Sequence, residues 1–379
     1  MPNWHLKIAA GRRHPLFAFI EQRVSLRRGA TVKSFDHDYF LETPISHALL
    51  SSVRALGEFH GREQLYAGQS PEVLETLRRA AMVQSVESSN RIEGITVEPG
   101  RIEGLVAKKS RPRDRSEQEV AGYRDVLALI HNNNERPRLS SRLILDWHRS
   151  LYRYTRERGG KWKAKDNAIL EIQADGRQVL RFKPVSALST PKFMDRLLRL
   201  FDTALGERRT DPLLLAATFV LDFECIHPFR DGNGRIGRLL TLLLLCQAGY
   251  GVGRYISLER IVEESKETYY EALHKSSQGW HEGSHDLRPW WNYFLGMLTA
   301  AYKEFESRVG IITSARGAKR RMVRAAIQNL PTRFTVGDLR RVCPGVSYPT
   351  LQRALADLSK ERKIRCIRRG PDAQWERKG

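Results

Sequence analysis

Thirteen residues in the middle of the chain, IHPFRDGNGRIGR at 226–238, combine a histidine, an aspartate, three arginines and closely spaced glycines. The glycines with the G-x-G-x-x-G spacing of a dinucleotide-binding turn are Gly232, Gly234 and Gly237. Such a turn follows a β-strand and has an acidic residue about 20 positions further on. Here a helical pattern precedes the glycines, and the next acidic residue after Asp231 is Glu259. The sequence therefore argues against a dinucleotide-binding turn.

The same residues are well suited to a junction between two helices. Pro228 ends one helix just after His227, and the next helix begins near Asn233. Free amides at the start of a helix form an anion site that suits phosphate. Arg235 and Arg238 lie three apart in that first turn, where cations are unfavourable unless a polyanion binds among them. The spacing therefore predicts a phosphate-binding junction.

Asp231 and His227 add chemistry to this junction. Carboxylate oxygen is a hard ligand that suits Mg²⁺, an ion that usually accompanies phosphates, so Asp231 is the candidate metal ligand. His227 can take a proton near neutral pH. Taken singly, each residue has a plainer interpretation, such as a helix cap or a turn, but all of them coincide in one stretch. The stretch predicts a triphosphate site with a metal and a base, for nucleotidyl or phosphoryl transfer to a hydroxyl.

Helices must position this junction, because apolar residues recur three and four apart in most segments from 45 to about 309. Two runs beside the junction, DPLLLAATFVLDFECI and GRLLTLLLLCQAG, are apolar nearly all round and predict the central helices of a bundle. Residues 1–45 are weakly patterned, and we expect strands and loops in this N-terminal extension. The predicted fold class is mainly α.

One segment departs from the helical pattern. Residues 168–185, AILEIQADGRQVLRFKPV, alternate apolar and polar side chains on either side of Asp175-Gly176, which predicts a β-hairpin. A lone hairpin in a helical domain is either a surface decoration or a strand edge offered to another chain. The sequence by itself leaves both interpretations open.

The C-terminal part has its own organisation. Residues 311–318 are small, polar and basic, and we interpret them as a linker. Beyond them the pattern predicts three helices, over 319–329, 335–342 and 347–361, and a β-ribbon over 363–377. This order is typical of a winged helix-turn-helix domain, which we assign to residues 319–379.

This C-terminal segment is strongly basic. Residues 318–379 hold 16 Lys and Arg against 5 Asp and Glu, and so carry +11 of the net charge of +21. The predicted recognition helix presents Tyr348, Thr350, Gln352 and Arg353, and the predicted wing presents Arg365, Arg368 and Arg369. Residues 319–379 are therefore a candidate DNA-binding domain. The alternative is a winged helix used for protein contacts or for dimerisation, so a homodimer stays open.

Composition narrows the class of protein further. The charge of +21 favours anionic partners. Four widely spaced cysteines with no C-x-x-C pair predict reduced thiols. The N-terminus lacks the apolar core of a signal peptide, and the most apolar run, LLTLLLLC, is too short to span a bilayer. We therefore expect a cytoplasmic protein with no membrane partner.

A zinc-protease pattern, H-E-x-x-H, occurs as HEGSH at residues 281–285. That chemistry needs both histidines on one face of a helix, with the glutamate beside them. Here Gly279, Gly283 and Pro289 crowd a stretch between two helices, so the two histidines would not be held together. The sequence argues against a zinc site.

The junction resembles a known family. HPFRDGNGRIGR, residues 227–238, resembles the Fic signature H-P-F-x-[D/E]-G-N-G-R-x-x-R at every fixed position, and ESKETYYEAL at 264–273 resembles the helix that follows it. The resemblance implies that residues 46–310 form a Fic-type helical bundle, with residues 168–185 as a flap that aligns a target by strand addition. It also implies transfer of AMP from ATP to a Ser, Thr or Tyr hydroxyl of a target protein, which can be the chain itself.

The resemblance also implies roles for single residues. The implied base is His227, the implied Mg²⁺ ligand is Asp231, and the implied phosphate nest is Gly232, Asn233 and Gly234. The implied phosphate cations are Arg235 and, toward the γ-phosphate, Arg238. Phe229 would anchor the loop, and adenine would stack near Tyr269 or Tyr270.

A second motif, SSNRIEG at residues 88–94, resembles the family's inhibitory pattern [S/T]-x-x-x-E-[G/N], with Ser89, Glu93 and Gly94 in place. It implies an inhibitory helix at about 71–94 whose Glu93 pairs with Arg238, the cation meant for the γ-phosphate. ATP could then bind only in a poor pose. The alternative for Glu93 is an ordinary surface glutamate.

Two features leave open how a target is aligned and whether AMP is added or removed. The stretch RFKPVSALSTPKF lacks the paired prolines that many family members carry after the flap, which weakens the prediction of target alignment. Some family members remove AMP instead of adding it. The alternative function is a DNA-binding regulator whose Fic site acts as a nucleotide sensor or a de-AMPylase.

Overall fold

The computed structural model describes residues 32–35, 37–69, 71–98, 100–132, 137–172, 177–312, 318–343, 346–368, 370 and 373–377. The helices are α1 His37–Glu42, α2 His47–Gln69, α3 Pro71–Ile92, α4 Arg101–Val106, α5 Arg115–Asn132, α6 Ser141–Leu151, α7 Thr190–Glu207, α8 Pro212–Ile226, α9 Asn233–Gln247, α10 Leu258–Glu264, α11 Lys266–Ser277, α12 Arg288–Ile312, α13 Ala318–Asn329, α14 Val336–Val342 and α15 Tyr348–Lys360. The strands are β1 Ile169–Ile172, β2 Gln178–Phe182, β3 Arg333–Thr335, β4 Ile364–Arg368 and β5 Gln374–Arg377. The predicted mainly α class is confirmed.

The chain divides into two compact units. The first unit takes the described parts of residues 1–57, 84–250 and 258–299, and the second takes those of 58–83, 251–257 and 300–379. Helices α2, α3 and α12 therefore contribute residues to both units. Within the described residues, no helix is long and apolar enough to cross a membrane.

Helix α8 lies at the centre of the first unit. Asp211 caps its start by accepting from Leu213 N–H at 2.8 Å, and Pro212 occupies the first turn, where a helix needs no donor. Between Leu213 and Ile226 every residue except Glu224 is buried, because the run is apolar on all faces. Helices α7 and α9 pack against it. The predicted central helices of the bundle are thus present.

Three tryptophans fix α8 by donating their indole N–H groups to it. Trp290 donates to Ala217 O at 2.7 Å, Trp291 to Thr218 Oγ1 at 2.9 Å and Trp280 to Asp222 Oδ1 at 2.6 Å. Buried indoles need such acceptors, since an unpaired N–H in an apolar core is costly. The helix that ends at His227 is therefore held along its length.

The predicted hairpin is also present. Strands β1 and β2 pair antiparallel, with Leu170 opposite Leu180 and Ile172 opposite Gln178. The predicted Asp175-Gly176 turn lies outside the described residues. We keep the name flap for residues 168–185.

In the second unit, α13, α14 and α15 accompany a three-stranded antiparallel sheet in the order β3-β5-β4. Their shared core is Val323, Ile327, Phe334, Val336, Leu339, Cys343, Val346, Leu351, Ala354, Leu355, Leu358 and Ile364. The element order is compatible with the predicted winged helix-turn-helix. The sequence pattern missed β3, because a three-residue strand is too short for alternation to show.

Three predictions of chain organisation need correction. Within the N-terminal extension at 1–45, residues 37–42 are helical, because Phe40 is buried against Trp291 with ring centroids 5.3 Å apart. The predicted linker at 311–318 begins inside α12 and ends in α13, because Phe305 and Val309 are buried at helical spacing and continue that helix. Its residues 313–317 lie outside the described part of the chain.

The predicted single domain over 46–310 is also divided differently, since residues 58–83, 251–257 and 300–310 belong to the second unit. The cause is packing: Phe59 stacks on Tyr302 at 5.5 Å, and Tyr302 donates to Glu63 Oε2 at 2.6 Å.

Candidate active site

A cleft of about 880 Å³, its open mouth included, lies in the first unit. The predicted site residues that line it are Glu93, His227, Asp231, Gly232, Asn233, Gly234, Arg238, Tyr269 and Tyr270. The flap adds Ile169, Arg181 and Phe182 to the lining. Two other predicted residues, Ser89 and Arg235, are buried at 0% and 1% exposure. The fold therefore brings the predicted residues into one region, with two of them behind the lining.

His227 follows the last residue of α8 in the left-handed conformation, with φ 49°. Its ring Nδ1 lies 3.3 Å from the backbone oxygen of Glu224. Because a carbonyl can only accept, we assign the proton to Nδ1, which leaves Nε2 unprotonated. Nε2 is buried and has no hydrogen-bond partner within the described part of the chain. It is therefore placed to accept a proton.

Burial, together with the nearby Lys163 ammonium, lowers the pKa of His227 to about 3. Burial raises the pKa of Glu224 to about 8, so its carboxyl, 3.7 Å from His227 Nδ1, is mostly neutral at pH 7. The two side chains thus form a neutral contact and not an ion pair. A neutral imidazole is the state that a general base requires.

The loop after His227 is held by Phe229 and Asn233. The Phe229 ring is fully buried and stacks on His148, with centroids 3.8 Å apart. Asn233 Oδ1 accepts from Phe229 N–H at 2.8 Å, and its Nδ2 donates to Phe229 O at 2.9 Å. The side chain of Asn233 therefore fixes the loop, and its backbone N–H is what it can offer to an anion.

The glycines of the loop are needed for close approach. Gly232 has φ 84°, and a Cβ there would come within 3.1 Å of the Tyr152 hydroxyl. A Cβ on Gly234 would come within 2.5 Å of Glu93 Oε1. The first N–H groups of a helix have no partner inside that helix, so α9 presents free amides at this point.

Asp231 is ionised and half exposed, with 49% of its side chain accessible. Its Oδ1 accepts from Gly232 N–H at 2.7 Å, and its Oδ2 accepts from the Tyr152 hydroxyl at 2.9 Å. Burial raises its pKa, but Arg235 and these two donors outweigh burial and bring the pKa below the ordinary value. One carboxylate beside phosphate oxygens and water is a donor set that fits Mg²⁺. Within the described residues no group of three or more His, Cys, Asp or Glu could hold a metal alone.

The side chain of Arg235 points away from the cleft, although the predicted role of this residue is at the phosphates. Its Nη1 donates to Glu119 Oε2 at 2.6 Å, and its Nη2 donates to the Tyr152 hydroxyl at 3.0 Å. Tyr152 in turn donates to Asp231. Since Arg235 is directed to the interior, it acts on the candidate metal ligand through Tyr152, and its support of the phosphates stays a prediction.

Arg238 is bound by the end of α3. Its Nε donates to Ser89 Oγ at 2.8 Å and its Nη2 to Ser89 O at 2.9 Å. The same Nη2 donates to Glu93 Oε1 at 2.8 Å. Arg238 is 5% exposed, whereas 29% of the Glu93 side chain is accessible. The carboxylate therefore reaches a buried guanidinium from the cleft side.

The end of α3 is fastened to α10 and α11. Arg91 donates to both carboxyl oxygens of Glu263, at 2.8 and 3.0 Å. Lys266 Nζ donates to Ile92 O at 3.1 Å, and Gly94 ends the segment with φ 79°. These contacts hold Glu93 over Gly234.

Sequence reasoning missed the supporting residues Glu119, His148, Tyr152, Lys163, Asn167 and Glu224. Three of them carried a detectable signal: His148 and Tyr152 are four residues apart, the spacing of one side of a helix. Glu224 stands three residues before His227, which also places it on the same side of the helix. The others approach the site from distant segments, and nothing in their own sequence context identifies them.

The HEGSH histidines have separate partners. His281 Nε2 lies 2.7 Å from Lys183 O, and His285 Nε2 lies 2.8 Å from Ser34 Oγ. Residues 278–283 form turns rather than the helix that the zinc chemistry needs. The prediction against a zinc site agrees with this placement.

Comparison with known proteins finds similarity in the part of the chain that contains the junction. The Fic/DOC family model matches residues 138–245. The chain is 27% identical over 276 residues to the protein adenylyltransferase fic-1 of Caenorhabditis elegans, covering 70% of this chain and 48% of that protein. It is 34% identical over 74 residues to a probable protein adenylyltransferase of Aquifex aeolicus, covering 20% and 21%. The match thus spans about half the length of the first relative and about a fifth of the second.

Solved structures give the fold. The crystal structure of a Fic family protein from Desulfovibrio desulfuricans has a TM-score of 0.58 at 24% identity, covering 89% of this chain and 97% of that one. The structure of Fic-1 from C. elegans has a TM-score of 0.54 at 21% identity, covering 69% and 72%. At these identities the likeness establishes the fold and nothing finer.

Proposed function

This chain belongs to the Fic/DOC family through residues 138–245, and we propose that it is a protein adenylyltransferase restrained by its own Glu93. The observation that carries the proposal is the free Nε2 of His227, buried in the same cleft as Asp231 and the first amides of α9. The names of the relatives from C. elegans and A. aeolicus support the same reaction.

In the proposed reaction a target hydroxyl attacks the α-phosphorus of ATP and gives its proton to His227 Nε2. A bond forms between the hydroxyl oxygen and the α-phosphorus, and the bond from that phosphorus to the bridging oxygen breaks. Pyrophosphate leaves with the electron pair. The ring of His227 is neutral at pH 7, which is the protonation state that a general base requires.

The phosphates would be bound by the residues that face the cleft. The first amides of α9 and the dipole of that helix suit phosphate oxygens. Asp231 would hold Mg²⁺, an ion that neutralises charge on the phosphates. Arg238 would reach the γ-phosphate once Glu93 releases it.

Inhibition follows from the contact between Glu93 and Arg238. A charge-assisted hydrogen bond to a buried guanidinium is worth about 1.5–3 kcal/mol, which is roughly a 10- to 100-fold bias against a phosphate on the same cation. Because Glu93 also lies against Gly234, it occupies space beside the free amides. ATP must displace this carboxylate to bind in a reactive pose.

The test is transfer of label from α-labelled ATP with Mg²⁺ to protein, the chain itself included. We expect Glu93→Gly to raise labelling by about 10-fold or more, and Glu93→Gly with His227→Ala to lower it about 10²- to 10⁴-fold. Glu98→Gly is the matched control, since it removes an exposed glutamate beyond the same helix end and should change nothing. Equal labelling with and without His227 would reject the base role.

A second candidate function, binding of duplex DNA by the second unit, is favoured by the placement of its charges. Within residues 319–379, the described acidic residues are all in ion pairs: Asp338 with Arg341, Asp357 with Arg320, Glu361 with Arg324 and Lys363, and Glu376 with Arg333 and Arg365. The exposed residues of α15 include Tyr348, Gln352, Arg353 and Lys360. Its one acidic residue, Asp357, is partly exposed and pairs with Arg320.

Arg353 and Lys360, together with Arg368 on β4, are exposed and form no ion pair within the described residues. The predicted wing residue Arg369 lies outside the described part of the chain. An exposed helix face with unpaired cations, whose carboxylate is already neutralised by an arginine, suits a phosphate backbone.

The test is fluorescence anisotropy of the full chain with a mixed-sequence duplex between 50 and 200 mM salt. We expect affinity to fall steeply with salt, because each neutralised phosphate releases counterions. Arg353→Ala with Arg368→Ala should weaken binding about 10-fold, and Arg320→Ala with Arg324→Ala is the matched control of ion-paired arginines. Absence of binding at 50 mM salt would reject DNA binding and favour the alternative, in which the predicted winged helix contacts proteins.

A further inference from the structure

Lys163 and Asn167 are almost buried beside the junction, at 5% and 8% exposure, and the chemistry proposed above gives them no role. They lie four residues apart in the irregular segment between α6 and the flap. A buried ammonium is costly unless it is bound, and here burial lowers the pKa of Lys163 to about 8. Its position therefore needs a physical reason.

The two residues hold three carbonyl groups on either side of His227, one before it and two after it. Lys163 Nζ donates to Ile226 O at 3.1 Å, while its backbone N–H donates to Pro228 O at 2.8 Å. Asn167 Nδ2 donates to Phe229 O at 3.0 Å. Lys163 Nζ also donates to Asn167 Oδ1 at 2.8 Å, so the two side chains form one unit.

These contacts hold His227 in its left-handed backbone conformation. A non-glycine residue in the left-handed region is strained and persists only where its surroundings hold it there. His227 is such a residue, and the backbone on both of its sides is fixed by Lys163. The direction of its ring is therefore set by these contacts as well as by the Glu224 carbonyl.

The charge of Lys163 also acts on His227, because it favours the neutral form of the imidazole. The groups that face His227 are the Lys163 ammonium, the Glu224 carboxyl and the Asp231 carboxylate. The ammonium disfavours an imidazolium beside it, whereas Asp231 favours one.

We propose that Lys163, supported by Asn167, is a positioning residue for proton transfer at His227, through the carbonyl groups it holds and the positive charge it places beside the imidazole. This inference rests on the proposed function, since His227 is a base only in that reaction. Lys163 itself touches no reacting atom.

The activity test uses the Glu93→Gly chain with α-labelled ATP and compares Lys163→Met, Lys163→Arg and Asn167→Ala. We expect Lys163→Met to lower kcat about 10-fold or more, with KM for ATP nearly unchanged and the acid limb of the pH–rate profile moved to higher pH. Lys163→Arg should leave the acid limb in place, because the charge remains. Asn167→Ala should lower kcat without moving that limb.

A second readout does not need transfer activity. With ¹³Cε1-labelled histidine, the resonance assigned by its loss in His227→Ala should show a neutral ring down to pH 5 in the parent. The ring should titrate at higher pH in Lys163→Met, but not in Lys163→Arg. A folded, ATP-binding Lys163→Met chain with unchanged titration and unchanged kcat would overturn the inference.

Where the shift in titration occurs but no variant transfers AMP, the proposed function fails while the effect of Lys163 on His227 is supported. The two failures are therefore distinguishable.

Discussion

The arginines of the candidate active site and those on the exposed surface of α15 and β4 are placed in opposite ways. In the first unit Arg235 and Arg238 are 1% and 5% exposed, and each donates to named acceptors at 2.6–3.0 Å. On the exposed surface of the second unit, Arg353 and Arg368 stand free of ion pairs among the described residues.

The difference decides how each region can work. A buried, bound cation is pre-positioned, and removing it leaves unpaired charges in a medium of low dielectric, so single changes have large effects. An exposed cation is screened by salt and contributes little alone, so the effects are small and graded. The first arrangement suits a reaction site, and the second suits an extended polyanion.

The largest effect is expected for Arg235→Met, which leaves Glu119 and Asp231 without their shared buried cation. We expect a loss of about 3 kcal/mol in the free energy of unfolding, measured by denaturant titration. The matched control is Arg138→Met, whose ion pair with Asp202 has a similar distance of 2.9 Å but whose side chain is 83% exposed. That change should cost at most about 1 kcal/mol; equal losses would remove the distinction between buried and exposed pairs.

A buried carboxyl should give the first unit a pH dependence. Burial raises the pKa of Asp222 to about 7 from an ordinary value near 3.8, so the folded state binds a proton that the unfolded state releases. Its stabilising contribution is present at low pH and is lost as pH rises through 7. Asp222→Asn should therefore flatten the unfolding free energy between pH 4 and 7, by up to about 1.4 kcal/mol per pH unit.

His285, which meets the same Ser34 hydroxyl, has its pKa lowered by burial to about 4 and acts in the opposite direction. It remains in both proteins, so the difference between them isolates Asp222. Parallel stability curves for the two proteins would contradict the buried-acid interpretation.

A smaller effect is expected where a charge pair in the first unit is only half buried. Arg91, with 40% of its side chain exposed, holds the end of α3 on Glu263. Arg91→Ala should loosen Glu93 by about 0.5–1 kcal/mol and raise basal labelling from ATP about threefold. The control is Arg79→Ala, which removes the 75% exposed partner of Glu75 in the same helix and should leave labelling unchanged.

The smallest effect is expected for single exposed cations of the second unit. Arg353→Ala should weaken duplex DNA binding about threefold and lower the magnitude of the salt slope by about one. Arg365→Ala, which removes a partner of Glu376, should change either quantity less. A 100-fold loss of DNA affinity from Arg353→Ala alone would contradict this expectation, because effects of that size are typical of buried arginines such as Arg235 and Arg238.

Much of the site could be predicted because it is contiguous. Thirteen residues supply the candidate base, the candidate metal ligand and the helix start, and their spacing is local geometry that any helix–loop–helix would preserve. The pairing of Glu93 with Arg238, 145 residues apart, was accessible only through a second motif. The pairing of Arg235 with Glu119 was not predicted, because the pattern gives the position of Arg235 on the helix but not what packs behind it.

By itself, the sequence determined the helical class, the apolar α8 and α9, the hairpin and the junction at His227, since each follows from local periodicity or backbone preference. Tertiary structure alone decided which nitrogen of His227 is free, that Arg235 faces Glu119, and that Lys163 holds the carbonyls beside His227. It also decided where the units divide. These are contacts between segments distant along the chain, and burial sets their strength, so no local pattern encodes them.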